Sequence, residues 1–171
     1  MGNKVVYRNA GEGDAEALTE LFQRTFCETF GHLYSTADLT AFMAEHTSAQ
    51  WKEQLRDPAF AVQLAEDDAT IGFVKLGPVK LPVAVSRPAL ELRQLYVLGR
   101  AQGSGVAATL MAWAVEQARA RGAHDLYLAV YTDNPRARRF YHRYGFTEMG
   151  PCVFMVGNQA DSDIIMRRPL A

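Results

Sequence analysis

Arg100, Gly103 and Gly105 lie in the run RAQGSGVA, which follows the apolar stretch LELRQLYV and opens onto a long helical pattern. Glycine admits tight turns and leaves main-chain N–H groups open to a ligand that a Cβ would hold off. A helix that starts in such a turn aims unpaired N–H donors and the positive end of its dipole into one small volume. The chemistry expected there is anion binding. Arg100 either neutralises a phosphate or caps a wet turn, and GSG taken alone is equally a plain helix start.

Other chemistries fit these residues less well. Gly103, Gly105 and Ala108 also satisfy a GxGxxA dinucleotide fingerprint, with Asp125 near the place of a ribose-binding acid. That fingerprint opens a βαβ unit with more parallel units behind it, whereas here it falls past mid-chain with too few of the 171 residues left for a second half. No GxxxxGK followed by Ser or Thr occurs, so a phosphate-loop NTPase would lack its lysine and its magnesium-binding hydroxyl. His32, His46, His124 and His142 form neither HExxH nor a close His/Cys cluster, and no metal is expected. Cys27 and Cys152 form no CxxC pair and carry no nucleophile signature, so they read as reduced structural thiols.

Downstream comes an apolar strand, HDLYLAVY, and then TDNPRARRFYHRYGF, Thr132 to Phe146. Together, the two runs resemble the acyl-CoA-binding signatures of the GNAT superfamily of N-acetyltransferases. Arg100, Gly103 and Gly105 match the family's Gln/Arg-x-x-Gly-x-Gly/Ala turn. Asn134, Ala137, Phe140, Tyr141, Gly145 and Phe146 match its NxxAxxFYxxxGF. The separation of the two motifs by one helix and one strand is also the family pattern.

The resemblance implies an α/β, single-domain GNAT acyl-CoA N-acyltransferase fold, with a mixed, mostly antiparallel central sheet flanked by helices. One domain would span 1–171, with the main likeness over 5–171. The cofactor implied is acetyl-CoA. Its pyrophosphate would lie on main-chain donors from Gln102 through Gly103, Ser104, Gly105 and Val106 to Ala107. Its pantetheine arm would lie along Leu95, Tyr96 and Val97, where two central strands diverge. Asn134 either only caps a helix or also touches that arm, and Ala137 permits close approach. Tyr141 would contact the cofactor and protonate the departing thiolate.

Glu91 holds a place where some members of the family carry a glutamate, and it either draws a proton from the acceptor amine or is a surface acid paired with Arg93. In strand phase it is expected to point with Arg93, Leu95 and Val97. Glu28, His32 and Tyr34, in ETFGHLY, are further acceptor-site candidates. That segment and HLYSTADLTAFM are similar to a bacterial subgroup that includes polyamine acetyltransferases and regulators of the PaiA type. The expected reaction is direct attack by a primary amine in a ternary complex, on a small polyamine, another amine-bearing small molecule or a peptide N-terminus. An acyl-CoA-responsive regulatory protein without turnover is the reading from another class.

The elements that must position these groups can be taken in order. KVVYRNA reads as a strand, and GEGDAEALTELFQRTFCETF as a helix capped by Asp14, with Leu18, Leu21, Phe22, Thr25, Phe26 and Thr29 on one face. Two further helices follow, capped by Ser35 or Thr36 and by Thr47 or Ser48; they read as a helical layer or, as the resemblance implies, as a cover over the amine site. AFAVQLAEDDATIGFVKLG reads as a hairpin turning at EDDA, with Phe60, Val62 and Leu64 sharing one face and Ile71, Phe73 and Lys75 another. Pro78, Pro82 and Pro88 make the next connection irregular, at the rim of the substrate opening. The strand ELRQLYV leads into the turn, and the next helix runs from Gly103 or Ser104 to Arg121 and stops at Gly122. Val106, Leu110, Trp113, Ala114 and Ala118 form its buried stripe. GFTEMGPCVFMVG and SDIIMRRPLA close the chain as a hairpin, with Arg167 and Arg168 as an exposed pair on an edge strand.

Composition agrees. Eighteen Lys and Arg against 19 Asp and Glu leave no basic field for nucleic acid. There is no apolar leader or membrane-length apolar run. Met1 and Gly2 suit myristoylation, but Val6 stands where Ser or Thr is wanted. A cytoplasmic protein is expected, and the sequence leaves a homodimer open.

Overall fold

The structure, a computed structural model, describes residues 3–170; the Met1 and Gly2 of the acylation reading and the Ala171 of the last expected strand lie outside the described residues. Seven strands form one mixed sheet: β1 (Val6–Asn9), β2 (Ala61–Glu66), β3 (Thr70–Gly77), β4 (Ala89–Val97), β5 (Asp125–Tyr131), β6 (Thr147–Val156) and β7 (Gln159–Pro169). Their order is β1-β2-β3-β4-β5-β7-β6. Among the described residues, only the β4–β5 pair is parallel. Five helices flank the sheet: α1 (Ala15–Phe30), α2 (Thr36–Ala44), α3 (Ser48–Arg56), α4 (Val106–Ala120) and α5 (Pro135–Arg143). The α/β class and the mixed, mostly antiparallel sheet are those implied by the motif resemblance.

Helices α1 and α3 cover one face, where Phe22 meets Tyr96 and Trp51 meets Phe73. Helix α4 covers the other, where Val106 and Val97 crowd Gly72. Alternation along β4 explains the division, since Tyr96 and Val97 are consecutive and point to opposite faces. Both faces of β3 are therefore buried, from Ile71 to Gly77. That is why the hairpin's alternation is imperfect in the sequence. Lys75 is buried with it, donating to Gln54 Oε1 at 2.8 Å and lying over the Trp51 ring, and burial lowers its pKa to about 7.

The caps at Ser35, Thr47 and Asn134 form as expected: each side-chain oxygen accepts the N–H three residues on. Asp14 does not cap α1 with its side chain. Its carboxylate takes Gly11 N and a two-pronged contact from Arg8, so it ties β1 to the helix start instead. Thr29 is exposed and departs from the buried face of α1. Trp113 is half-buried, and Met111 and Val115 join the α4 stripe. α4 itself starts at Val106, because Gly103 and Gly105 both have positive φ and keep the turn out of the helix.

The final hairpin corrects two expectations. β7 begins at Gln159 and lies between β5 and β6, so β6 is the edge strand. Arg167 and Arg168 are half-buried, and Arg167 reaches the carboxylate of Asp125 at 2.8 Å. Asp125 also takes Arg87 at 2.6 Å, so it is a buried structural acid and not a ribose ligand. Cys27 and Cys152 are unpaired thiols, Cys27 exposed on α1 and Cys152 half-buried on β6. Among the described residues, no helix is long and apolar enough to cross a membrane, and no cluster of three or more His, Cys, Asp or Glu side chains is placed to hold a metal ion.

Candidate active site

The parallel ladder between β4 and β5 has three rungs, from Ala89 opposite Asp125 to Glu91 opposite Tyr127. Beyond them β4 stays paired to β3, and β5 to β7, but not to each other. A cavity of about 1190 Å³ fills the resulting wedge. Every residue from Glu91 to Val97 and from Leu128 to Tyr131 lines it. Consecutive strand residues point to opposite faces, so the cavity passes through the sheet and is reached from both sides.

A register shift opposite Lys75 and Leu76 makes Arg93 an extra residue in β4, a bulge. Gln94 pairs with Lys75 and Leu92 with Leu76, so the phase reverses at the bulge. Glu91 thus shares the α1 face with Gln94 and Tyr96, whereas the unbroken alternation of the sequence groups it with Leu95 and Val97.

On the α4 side, Gly103 and Gly105 hold φ of +78° and +91°, and a Cβ at either would meet nothing within 4 Å. Open space beside exposed main chain is what a bound anion needs, and the first turn of α4 leaves its N–H groups without intrahelical partners. Thr109 is the residue whose N–H returns to Gly105 O. Gln102, Gly103, Gly105 and Ala107 line the cavity. Ser104 instead bonds Ala101 O through its hydroxyl, and the Val106 side chain is buried in the core. Arg100 points away, in a two-pronged pair with Asp67 at 2.6 and 3.0 Å that ties the turn to the β2–β3 hairpin. Arg136, which sequence reasoning missed, donates to Gln102 Oε1 at 2.7 Å, while Gln102 Nε2 holds Val97 O at 3.2 Å. Arg136 and Arg143 also border a shallower basic depression of about 350 Å³ on α5.

Helix α5 supplies the group nearest to proton chemistry. Asn134 caps it, Pro135 takes its first position, and Asn134, Ala137, Phe140 and Tyr141 line the cavity. Burial pushes the Tyr141 phenol up to about 12, which keeps its proton at neutral pH. Burial raises Tyr96 too, with the nearby Tyr141 adding to the shift.

The α1 side of the wedge is acidic and aromatic. Glu91 is 7% exposed, and its carboxylate accepts Lys80 N at 2.8 Å with Arg93 Nε at 3.6 Å. Burial raises its pKa against those opposing contacts. Asp161 and Asp163 of β7, absent from the sequence candidates, line the same space with Phe30, Tyr34, Tyr131 and Phe154. Tyr34 donates its hydroxyl to Asp161. Their signal was the alternation in ADSDII, which puts two acids on one face of a strand. Glu28 sits at the rim, where it accepts Gly99 N at 3.4 Å and pairs with Arg24. His32 is exposed and is not brought to the cavity lining. The lining also takes nothing from α2 or α3; the end of α1 and Tyr34 form that wall. Leu81 and the Lys80 contact bring the proline-rich connection to the rim.

Comparison with known proteins bears on the family and the fold. The model of the acetyltransferase (GNAT) family matches residues 15–146. An uncharacterized N-acetyltransferase of Mycobacterium tuberculosis is 32% identical over 159 residues, covering 92% of this chain and 98% of the relative. Among solved structures, the PaiA N-acetyltransferase of Thermoplasma acidophilum, in complex with coenzyme A, superposes with a TM-score of 0.79 at 20% identity, covering 97% of this chain and 99% of the other. That likeness speaks for the fold alone. A ribosomal-protein-alanine N-acetyltransferase of Brucella melitensis superposes with a TM-score of 0.74 at 25% identity, over 96% of this chain and 99% of its own.

Proposed function

This chain belongs to the GNAT acetyltransferase family, and from that premise we propose that it transfers an acetyl group from acetyl-CoA to the primary amine of a small cationic acceptor, by direct attack in a ternary complex. The observation that carries the reading is the wedge between β4 and β5, with open main chain at Gly103 and Gly105 on one side and carboxylates on the other.

The residues present fit the donor. Acetyl-CoA, when bound, supplies a thioester carbonyl as the acyl source. Main-chain N–H groups from Gln102 to Ala107 hold its pyrophosphate, with the helix dipole of α4 behind them. Arg136 and Arg143 take the charge-neutralising part that the sequence offered to Arg100, which is spent on Asp67. The unpaired edge of β4 over Leu95, Tyr96 and Val97 accepts and donates main-chain hydrogen bonds to an extended amide-bearing arm, as a missing strand would. Asn134 orients the end of that arm from the head of α5, and the small Ala137 lets it approach. Tyr141 donates its proton to the leaving sulfur.

Glu91 gives the acceptor side a fixed negative charge while its contact with Lys80 N holds the rim. Aromatic walls and four carboxylates favour an ammonium with an apolar body, which supports a small polyamine over a neutral amine. A protein N-terminal amine is the second reading, favoured by the likeness to the Brucella enzyme.

Native mass spectrometry with acetyl-CoA, followed by an amine panel of 1,4-diaminobutane, spermidine and an alanine-initiated peptide, tests the proposal. One bound acetyl-CoA and sustained acetylation of a small diamine are expected. Binding without turnover on any amine would instead support an acyl-CoA-responsive regulator, and peptide-only turnover the second reading.

A further inference from the structure

We propose that Asp163 is the catalytic residue that receives the ammonium proton of the acceptor, a role that rests on the acetyl-transfer reading above. The geometry singles it out among four cavity carboxylates. Glu28 accepts Gly99 N and pairs with Arg24. Glu91 is held by Lys80 N and faces Arg93. Asp161 is held by the Tyr34 hydroxyl and by Gln159 Nε2 at 3.0 Å. Asp163 lines the same cavity and is 7% exposed, and its carboxylate has no hydrogen bond or ion pair among the described residues. Its carboxylate oxygens open onto the cavity, where a ligand's donor can reach them, and a half-shielded carboxylate with no protein donor points to a ligand that completes it.

A second unmet group lies across the wedge. Gln94 Oε1 on β4 is buried and receives no donor. A primary ammonium carries three N–H donors, so beyond Asp163 it has donors left for water or a further carboxylate in the cavity.

The surroundings suit a base that works near neutral pH. Asp161 adjoins it on β7, Tyr131 stands opposite on β5 and Cys152 opposite on β6. Tyr34 reaches in from the segment before α2, while Tyr96 and Glu91 face the space from β4. No cation among the described residues balances Asp163, and burial together with the Asp161 charge raises it to about 6. Burial raises the Cys152 thiol, with the negative charges of Asp163 and Glu91 adding to it, and both carboxylates line the one cavity.

The step balances. One N–H bond of the ammonium breaks and an O–H bond forms on Asp163, leaving the electron pair on nitrogen. That pair forms the C–N bond at the thioester carbonyl of the bound acetyl donor, and the C–S bond breaks with its electrons going to sulfur. Tyr141 protonates the sulfur and is reprotonated by the second proton that the nitrogen loses. Asp163 releases its own proton to solvent, so the net products are the amide, the thiol and one proton.

The test uses the full chain, with Asp163→Asn, Asp163→Glu and Asp161→Asn beside the parent and circular dichroism to establish folding. At saturating acetyl-CoA, the parent's kcat/KM for spermidine is expected to rise with pH along a limb centred near pH 6. Asp163→Asn should lose that limb and about 10²-fold or more in rate, Asp163→Glu should recover part of both, and Asp161→Asn should move the limb to lower pH. Calorimetric affinity for acetyl-CoA should be unchanged in all three. Carbon-13 NMR of aspartate-labelled protein supplies a reading independent of turnover: one carboxyl titrating near pH 6, absent in Asp163→Asn and shifted down when spermidine is added. Acetyl transfer with the parent's pH profile in Asp163→Asn, or no aspartate titrating above pH 5, would overturn the assignment while leaving the transferase standing. Failure of the parent to bind acetyl-CoA would remove both.

Discussion

Glu91 and Tyr127 form the last rung of the parallel ladder between β4 and β5, and past that rung the strands part. A parallel pair that stops after three rungs leaves the β5-facing edge of β4 without a strand partner, and this opens the sheet into a wedge-shaped cavity. The four expectations below follow from groups around that opening.

Gly105 has φ of +91° and open space where a Cβ would stand. Gly105→Val forces a β-branched residue into the left-handed region, at a cost of about 1–3 kcal/mol, and puts its methyls where the anion would lie. Calorimetry on the folded variant should show acetyl-CoA affinity falling about tenfold or more, since each tenfold is about 1.4 kcal/mol. Unchanged affinity would remove the turn from phosphate binding.

Tyr141→Phe keeps the ring against Phe140 and Phe146 and deletes the hydroxyl. Single-turnover acetyl transfer should fall by about 10²-fold, or roughly 2.7 kcal/mol of transition-state stabilisation, with acetyl-CoA binding intact. A parent-like single-turnover rate would take Tyr141 out of the acid role, whatever limits steady-state turnover.

Glu91→Gln retains an acceptor for Lys80 N and loses the negative charge. The KM of the amine should rise about tenfold, or about 1.4 kcal/mol, with little change in acetyl-CoA affinity. Burial raises the Glu91 pKa, so its charge is present above that pKa and lost as pH falls through it. The parent's advantage over the variant should therefore shrink toward acid. Equal amine saturation curves at all pH values would return Glu91 to a purely structural role at the rim.

Asp163 in the folded chain titrates near 6, above the ordinary 3.8. The native state then binds more protons than the unfolded state between those values, so stability falls as pH rises from about 4 to about 6. The loss amounts to at most about 3 kcal/mol, and Asp163→Asn abolishes it. Urea denaturation at pH 4 and pH 7 should find the variant more stable than the parent at pH 7 and near parity at pH 4. Equal stability at both would mean that the carboxylate is not strained by burial, and a site that trades stability for chemistry is the physical basis of the expectation.

The sequence by itself determined the elements whose causes are local. Glycines at positive φ, the Asn134-Pro135 helix start and the caps at Ser35 and Thr47 depend on a few adjacent residues, and each formed where the residue types required it. The motif pair around Gly103 and Asn134 carried the family, because turn and helix start are read from neighbours in the chain.

Tertiary structure decided what depends on pairing between distant strands. The bulge at Arg93 reversed the phase of β4, and no alternation count reveals an extra residue that only the β3 register exposes. The insertion of β7 between β5 and β6 turned Arg167 and Arg168 from an edge into an interior pair, and it carried Asp161 and Asp163 to the wedge. Arg100 went to Asp67 because the β2–β3 hairpin folds beside the turn, a proximity with no trace in RAQGSG. Side-chain identity and local turn chemistry are properties of short segments, whereas the partner of a buried charge is set by which segments the sheet brings together.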